Sequence, residues 1–305
     1  MVVGPTAAGK SDLAVELARR LDAEVVNADS MQLYRGMDIG TGKLTTAEQR
    51  GVPHHLLDVW DVSHTASVVE FRALAHAALA DIAARGQRGL LVGGSGLYVH
   101  AVVDAWDFPG TDPALRAALE QRLDDEGAAA LHAELADVDP AAAARIQSSN
   151  GRRIVRALEV VQLQGSFRAE LPSPGAAPAL DCVMVGLDVP RDQLDQRIEA
   201  RVRRMWDAGW VEEVRRLDAA GLREGRTASR ALGYRQILAM LDGDLDETSA
   251  LLQTLHATRR FARRQGSWFA RDPRIRWLPF DAAGLVHRVE EEVERPSQRP
   301  PTGPS

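Results

Sequence analysis

Gly4-Pro5-Thr6-Ala7-Ala8-Gly9-Lys10-Ser11 fits the pattern G-x-x-x-x-G-K-[ST] without a mismatch. The short apolar run Met1-Val2-Val3 precedes it, and Leu13, Leu17 and Leu21 follow at helical spacing. The motif therefore stands between a strand and a helix, the context a phosphate-binding loop requires. Its glycines let the backbone turn so that N–H groups converge on one anion, and the helix N-terminus adds partial positive charge. Lys10 neutralises an outer phosphate, and the Ser11 hydroxyl is a ligand for Mg²⁺.

The basic residues sharpen this reading. Of 37 Lys plus Arg, only Lys10 and Lys43 are lysines. A compact ammonium suits a phosphate cradle better than a planar guanidinium does, so Lys10 is intelligible. Lys43, in Asp38-Ile39-Gly40-Thr41-Gly42-Lys43, is either a second phosphate or RNA contact or a surface lysine.

The usual partner of such a loop is missing. A nucleotide hydrolase often ends its next apolar strand with an aspartate for the metal. Here Gly89-Leu90-Leu91-Val92 runs into Gly93-Gly94-Ser95-Gly96, and the other candidate, Leu56-Leu57-Asp58, is only a short run after Pro53-His54-His55. The loop is expected to hold a phosphate anion without hydrolysing ATP. The second informative acid is Asp29, which follows the buried strand Glu24-Val25-Val26-Asn27. Ligands of doubly wound sheets collect at the carboxyl ends of the strands, so Asp29 should face the loop. Three roles are open to it: water-mediated Mg²⁺ ligand, general base, or turn and helix-cap residue.

Strands near 1–3, 24–27, 89–93, 181–188 and 275–279 alternate with helices near 10–21, 67–85, 95–103, 191–219, 229–241 and 246–269. This predicts an α/β protein with a P-loop NTPase-like, doubly wound parallel sheet and a helical insertion. A first catalytic segment spans 1–111. The Ala-rich helical insertion spans 112–178. Its return linker, from Gly165 to Pro178, holds three prolines and two glycines. The core resumes over 179–294, and 295–305 reads as a disordered tail.

Net charge is −6, against broad unspecific binding of nucleic acid. Cations nonetheless gather locally. From Leu255 to Arg276 there are seven arginines and one acid, Asp272, with Phe261, Trp268 and Phe269 between them. This is either an RNA surface or a solvated helix face over core aromatics, and the acidic helix at Glu290-Glu291-Glu292 offers it a cover. A smaller cluster is Arg152, Arg153 and Arg156. A single cysteine, Cys182, suits a reducing compartment, and the cytoplasm is expected. No apolar run approaches ~20 residues, so no membrane span is expected. The adjacent His54 and His55 point apart and read as structural.

Several blocks together resemble the tRNA dimethylallyltransferase (IPP transferase) family. They are Gly4–Ser11, Asp29-Ser30-Met31-Gln32-Leu33-Tyr34 through Thr41, Pro53-His54-His55-Leu56-Leu57-Asp58, Leu91–Tyr98, Arg153–Val160 and Ala231-Leu232-Gly233-Tyr234-Arg235-Gln236. They stand in the family's order over roughly residues 1–280. Three features depart from the pattern. Ser95 replaces a threonine, and Gln147-Ser148-Ser149-Asn150 replaces a motif closer to His-Pro-Asn-Asp. The first strand is short, so native residues are expected before Met1.

The resemblance implies transfer of a dimethylallyl group from dimethylallyl diphosphate to N6 of the adenosine 3′ to the anticodon, tRNA position 37. The tRNAs would be those reading codons that begin with U, and the products N6-(dimethylallyl)adenosine and diphosphate. It implies Mg²⁺, a partner in the tRNA anticodon stem-loop, and a monomer. Asp29, Lys10 and Ser11 would be catalytic, with Ser11 on the metal. Gly4, Pro5, Thr6, Ala7, Ala8, Gly9, Lys10, Ser11 and Arg201 would hold the diphosphate. Asp29 to Gln32, Ser95, Arg116, Arg152 to Arg156 (through Ile154 and Val155) and Arg230 to Arg235 would meet tRNA. On residue grounds alone, Arg201 is equally a helix-surface partner of Glu199.

Pyrophosphate is a leaving group that a phosphate loop cradles as well as it cradles ATP, and the loop's cations sit where negative charge grows. Three rivals share parts of this pattern. They are a small-molecule kinase, a non-catalytic tRNA-binding module, and a dimethylallyltransferase that acts on free adenylate.

Overall fold

The computed structural model describes residues 1–106, 108–168 and 179–295. Most of the expected return linker (169–178) and all but the first residue of the expected tail (296–305) lie outside them. The chain divides into two units, Met1–Ala105 with Pro174–Ser305, and Trp106–Ser173.

The first unit is built on six strands: β1 (Val2–Val3), β2 (Ala23–Asn27), β3 (His54–His55), β4 (Arg88–Gly93), β5 (Met184–Asp188) and β6 (Ile275–Pro279). They pair in the order β3-β2-β4-β1-β5-β6, every pair parallel. Parallel strands covered on both faces read as unbroken apolar runs. Accordingly β1 and β2 are buried at every residue, and β4 from Leu90 onward. Glu24 is the charged exception inside β2. Hydrogen bonds from Arg85 and His55 hold its carboxyl down to about 2, against the desolvation that would raise it.

Helices α1 (Lys10–Leu21), α2 (Val68–Ala84) and α3 (Gly96–Val103) connect the first strands. Leu13, Leu17 and Ala18 of α1 face the sheet, and Ser67 caps α2 by accepting the Glu70 N–H at 3.1 Å. The register pairs Val3 with Gly93 and Asn27 with Val92, so β1, β2 and β4 end side by side. At that edge β1 lies between β4 and β5, the point where the winding reverses and ligands bind.

The second unit contains α4 (Pro113–Glu126), α5 (Ala128–Val138), the single turn α6 (Pro140–Ala143) and α7 (Gly151–Gln164). Asp112, Asp139 and Asn150 cap α4, α6 and α7. Leu119, Leu131, Leu135, Ile154 and Leu158 make its separate core.

The first unit continues with α8 (Arg191–Asp207), α9 (Trp210–Ala219), α10 (Tyr234–Leu241), α11 (Glu247–Phe269) and α12 (Leu285–Glu294). Two differences from the sequence reading have plain causes. The continuous helix expected over 191–219 breaks at Gly209, whose φ of 95 turns the chain left-handed. The helix expected from 229 starts only at Tyr234, because Gly233 (φ 85) separates it from a 3₁₀ turn at Ala228–Arg230. The edge strand at His54–His55 was not anticipated, being only two half-buried residues long.

Candidate active site

The phosphate loop leaves β1 after Val3 and enters α1 at Lys10. Its backbone is left-handed at Ala7 (φ 65) as well as at Gly9 (φ 100). Holding an alanine there costs about 1–2 kcal/mol, so the surroundings must impose it. They do so through three ties. The Thr6 N–H donates to Gln265 Oε1 at 2.9 Å, Arg197 Nε donates to Ala7 O at 2.8 Å, and Lys10 Nζ donates to Pro5 O at 2.7 Å.

The turn after β2 is fixed by Asn27. Its Oδ1 accepts the Asp29 N–H at 2.9 Å, while Nδ2 donates to Asp29 O at 3.1 Å and Leu56 O at 3.0 Å. Asp29 Oδ1 accepts the Met31 N–H at 3.0 Å. The aspartate thus takes the turn role foreseen as one alternative, and it also faces the loop: Thr6, Lys10, Ser11, Asp29 and Arg201 line one cleft. The rest of the wall is mixed: Ala14, Val25, Leu44, Leu57 and Val92 are apolar, and Asn27, Gln32, Thr41, His54 and Gln265 are polar. Burial pushes the Lys10 ammonium down to about 8; Asp29 pulls it up and Arg201 presses it down further.

Arg201 reaches the cleft from α8 and donates to Thr41 O at 3.2 Å. A side chain at Gly42 would collide with it, since a Cβ there would lie 1.8 Å from Nη2. The alternative pairing with Glu199 is not formed. Glu199 accepts from Arg203 at 2.9 Å and Arg259 at 2.8 Å instead. The loop that carries Thr41 is itself held by Glu213, a buried carboxylate on α9. It accepts the N–H groups of Asp38 (3.0 Å), Ile39 (2.7 Å) and Gly40 (3.1 Å).

An anion entering this cleft meets a lysine that is mostly protonated at neutral pH but loses its proton near pH 8, and the anion's charge favours the ammonium form. Inorganic diphosphate is therefore expected to bind less tightly as pH rises through about 8. The loss is up to about tenfold per pH unit. Titration calorimetry across this range checks it, with Lys10→Ala supplying the baseline set by the ligand's own ionisation.

The remaining expected contacts divide by accessibility. Ser30 and Ser95 meet across the ends of β2 and β4, the Ser30 N–H donating to Ser95 Oγ at 3.3 Å. Gln32 Nε2 donates to Thr41 O at 3.2 Å. Arg230 and Arg235 are exposed, whereas Ala231, Gly233 and Tyr234 between them are buried. The Tyr234 hydroxyl donates to Glu213 Oε1 at 2.6 Å, so this tyrosine is a core residue and presents no side chain to RNA. In the second unit Arg152 and Arg153 are exposed, but Ile154 and Val155 face the core. Arg116 and Arg156 are drawn to the buried Glu159, and Arg156 also donates to Pro109 O and Gly110 O. Burial pushes the Glu159 carboxyl up, but Thr111, Arg156 and the Asp112 N–H together bring it below its ordinary value.

Lys43 resolves in favour of neither sequence alternative. Its side chain is 5% exposed, and Nζ donates to Asp38 at 2.7 Å, Asp58 at 2.6 Å and Tyr34 O at 3.0 Å. It is an internal strut. The arginine run divides as well. Arg259 pairs with Glu199, Arg274 with Asp104 and Asp272, and Arg276 with Glu292 of α12, the acidic helix foreseen as a cover. Arg263, Arg264 and Arg271 surround Ser267 and Trp268 at an open hollow. Three contributors escaped the sequence reading: Gln265, Arg197 and Glu213. Only Arg197 carried a signal, its i,i+4 spacing from Arg201 on one helix face.

A family profile described as IPP transferase matches residues 32–272. A tRNA dimethylallyltransferase of Streptomyces avermitilis is 60% identical over 299 residues, covering 97% of this chain and 95% of that protein. The full-length tRNA isopentenylpyrophosphate transferase of Bacillus halodurans superposes with a TM-score of 0.70 at 38% identity, covering 96% of this chain and 95% of that one. A eukaryotic dimethylallyltransferase acting on tRNA shares the fold, with a TM-score of 0.73 at 23% identity over 92% of this chain and 73% of that one. Among the described residues, no helix is long and apolar enough to cross a membrane.

Proposed function

This chain belongs to the IPP transferase family and is a transferase that prenylates tRNA; we propose that it moves a dimethylallyl group from dimethylallyl diphosphate to N6 of the adenosine 3′ to the anticodon. One observation carries this reading. A phosphate loop, a facing carboxylate and a set of apolar side chains (Val25, Leu44, Leu57 and Val92) share one cleft, while the strand beside the loop ends in Gly93-Gly94 instead of a hydrolase aspartate.

The N6 lone pair attacks the allylic C1, the C1–O bond breaks, and its electrons leave with diphosphate. Lys10, Arg201 and the loop N–H groups stabilise the charge that grows on the leaving group. Asp29 accepts the N6 proton. The dimethylallyl chain lies against Val25, Leu44, Leu57 and Val92. Ser11 and Asp29, which line the same cleft, are a donor set that fits Mg²⁺, which binds through few protein oxygens plus substrate phosphates. Ser11 would hold the ion, and the ion would neutralise diphosphate charge when bound. We further infer a monomeric, cytoplasmic enzyme acting on tRNAs that read codons beginning with U.

The target base must leave its stack to reach the cleft, and an anticodon loop, already poorly paired, lowers that cost to a few kcal/mol at most. Arg263, Arg264 and Arg271, with Trp268 between them, offer cations for phosphates and a flat group for a base. Replacing the three arginines by alanine is expected to raise the KM for tRNA and make the log–log salt dependence shallower by about 2–3, leaving the KM for dimethylallyl diphosphate unchanged. An unchanged salt slope would move the RNA surface elsewhere.

The reaction itself is tested by offering isotopically labelled dimethylallyl diphosphate with total tRNA or with AMP and digesting the products. Label in N6-(dimethylallyl)adenosine from tRNA alone supports the reading, and label in AMP would reassign the acceptor.

A further inference from the structure

We propose that Gln265 is a positioning residue for the diphosphate, a bolt that sets which amides of the phosphate loop face the leaving group. Gln265 lies on α11, is 6% exposed and borders the cleft. Its Oε1 accepts the Thr6 N–H at 2.9 Å, and its Nε2 donates to Gly94 O at 2.8 Å. Thr6 and Gly94 stand just past the paired ends of β1 and β4, where Val3 is in register with Gly93. One carboxamide therefore bridges the two strand ends that bound the switch point.

Only one orientation of that carboxamide works. Reversed, it would set N–H against the Thr6 N–H and C=O against Gly94 O, leaving the part-buried Thr6 N–H and the buried Gly94 O unpaired. The space is also reserved for it. A Cβ at Gly94 would lie 2.4 Å from Gln265 Nε2 and 3.1 Å from Gly4 O, so a side chain at 94 would push both the bolt and the loop. With its N–H committed to Gln265, Thr6 is turned away from the anion, and this fixes the rotation of the peptide units that follow. Ala7, held left-handed, is the next residue, which is where a loop so constrained stores its strain. The neighbours Arg263 and Arg264 are exposed, so the cradle-facing and solvent-facing sides of α11 can be altered separately.

The inference rests on the reading that this cleft holds diphosphate, and the experiment separates the two. Inorganic diphosphate binding is measured by calorimetry for the wild type, Gln265→Met and Gln265→Glu, with thermal melts and the KM for each substrate. The wild type should bind. Gln265→Met, similar in shape but unable to make either hydrogen bond, should bind about ten- to hundredfold more weakly, with the KM for tRNA within about twofold of wild type. Gln265→Glu should be the weaker binder at pH 8, where its carboxylate faces Gly94 O and adds negative charge to the cleft. As pH falls its protonated acid can donate to Gly94 O and accept from Thr6, so its affinity relative to wild type should recover.

A folded Gln265→Met with unchanged diphosphate affinity overturns the proposal. So does a KM for tRNA that rises in step with that for dimethylallyl diphosphate. If Gln265→Met does not fold, the pH series on Gln265→Glu decides, and no recovery overturns the proposal. If the wild type itself does not bind diphosphate, the reading of the cleft fails and the bolt with it.

Discussion

Asp29→Asn is expected to lower kcat by about 10²–10⁴-fold while tRNA affinity stays within a few fold of wild type. The substitution keeps the shape of the turn, because an asparagine carbonyl can still accept the Met31 N–H that Asp29 Oδ1 now accepts at 3.0 Å. Asn27 continues to hold the peptide from both sides. What disappears is the negative charge facing Lys10 and Arg201 and the capacity to take a proton from N6. Single-turnover kinetics with both substrates saturating checks it. A folded Asp29→Asn with near-native turnover would return Asp29 to the role of a turn residue.

The second large effect is expected at Lys10. Lys10→Ala should lower kcat/KM for dimethylallyl diphosphate by about 10²–10³-fold, the usual cost of one donor aimed at developing charge. Affinity for tRNA should not change, because the arginines proposed to meet tRNA lie on other elements. Lys10→Arg should rescue little, since the ammonium fits a narrow cleft shared with Arg201 and donates to Pro5 O at 2.7 Å. Initial rates at varied dimethylallyl diphosphate, with tRNA saturating, give the comparison. An equal loss at the tRNA term would mean that the variant disturbs the fold.

The parallel sheet was legible because its strands are apolar runs set between a phosphate loop, helical spacings and turn residues, all local signals. Lys10, Ser11 and Asp29 were legible for the same reason: strand ends in such a sheet converge, whatever the long-range detail. Arg201 was placed by resemblance, and it is the packing of α8 that brings it to the cleft beside Lys10. Gln265 was invisible because its role depends on Thr6 and Gly94, 259 and 171 residues away along the chain. Glu213 was hidden likewise, its acceptors being used by backbone N–H groups that carry no sequence signature. Lys43 misled because a rare residue type invites a functional reading, whereas two aspartates and a carbonyl consume its donors. Ile154, Val155 and Tyr234 show the limit of carrying a motif over whole: Arg152, Arg153 and Arg235 near them are exposed, while they themselves are core.

The central claim is that a phosphate loop here holds a leaving group and drives no ATP hydrolysis. The direct measurement is the stoichiometry of phosphate release. Enzyme, dimethylallyl diphosphate and tRNA are mixed, and released diphosphate is counted against modified adenosine, with ATP and orthophosphate followed in parallel. The account predicts one diphosphate per N6-(dimethylallyl)adenosine, no release without tRNA, and no orthophosphate from ATP. Steady orthophosphate release from ATP, or diphosphate release uncoupled from tRNA modification, would contradict it.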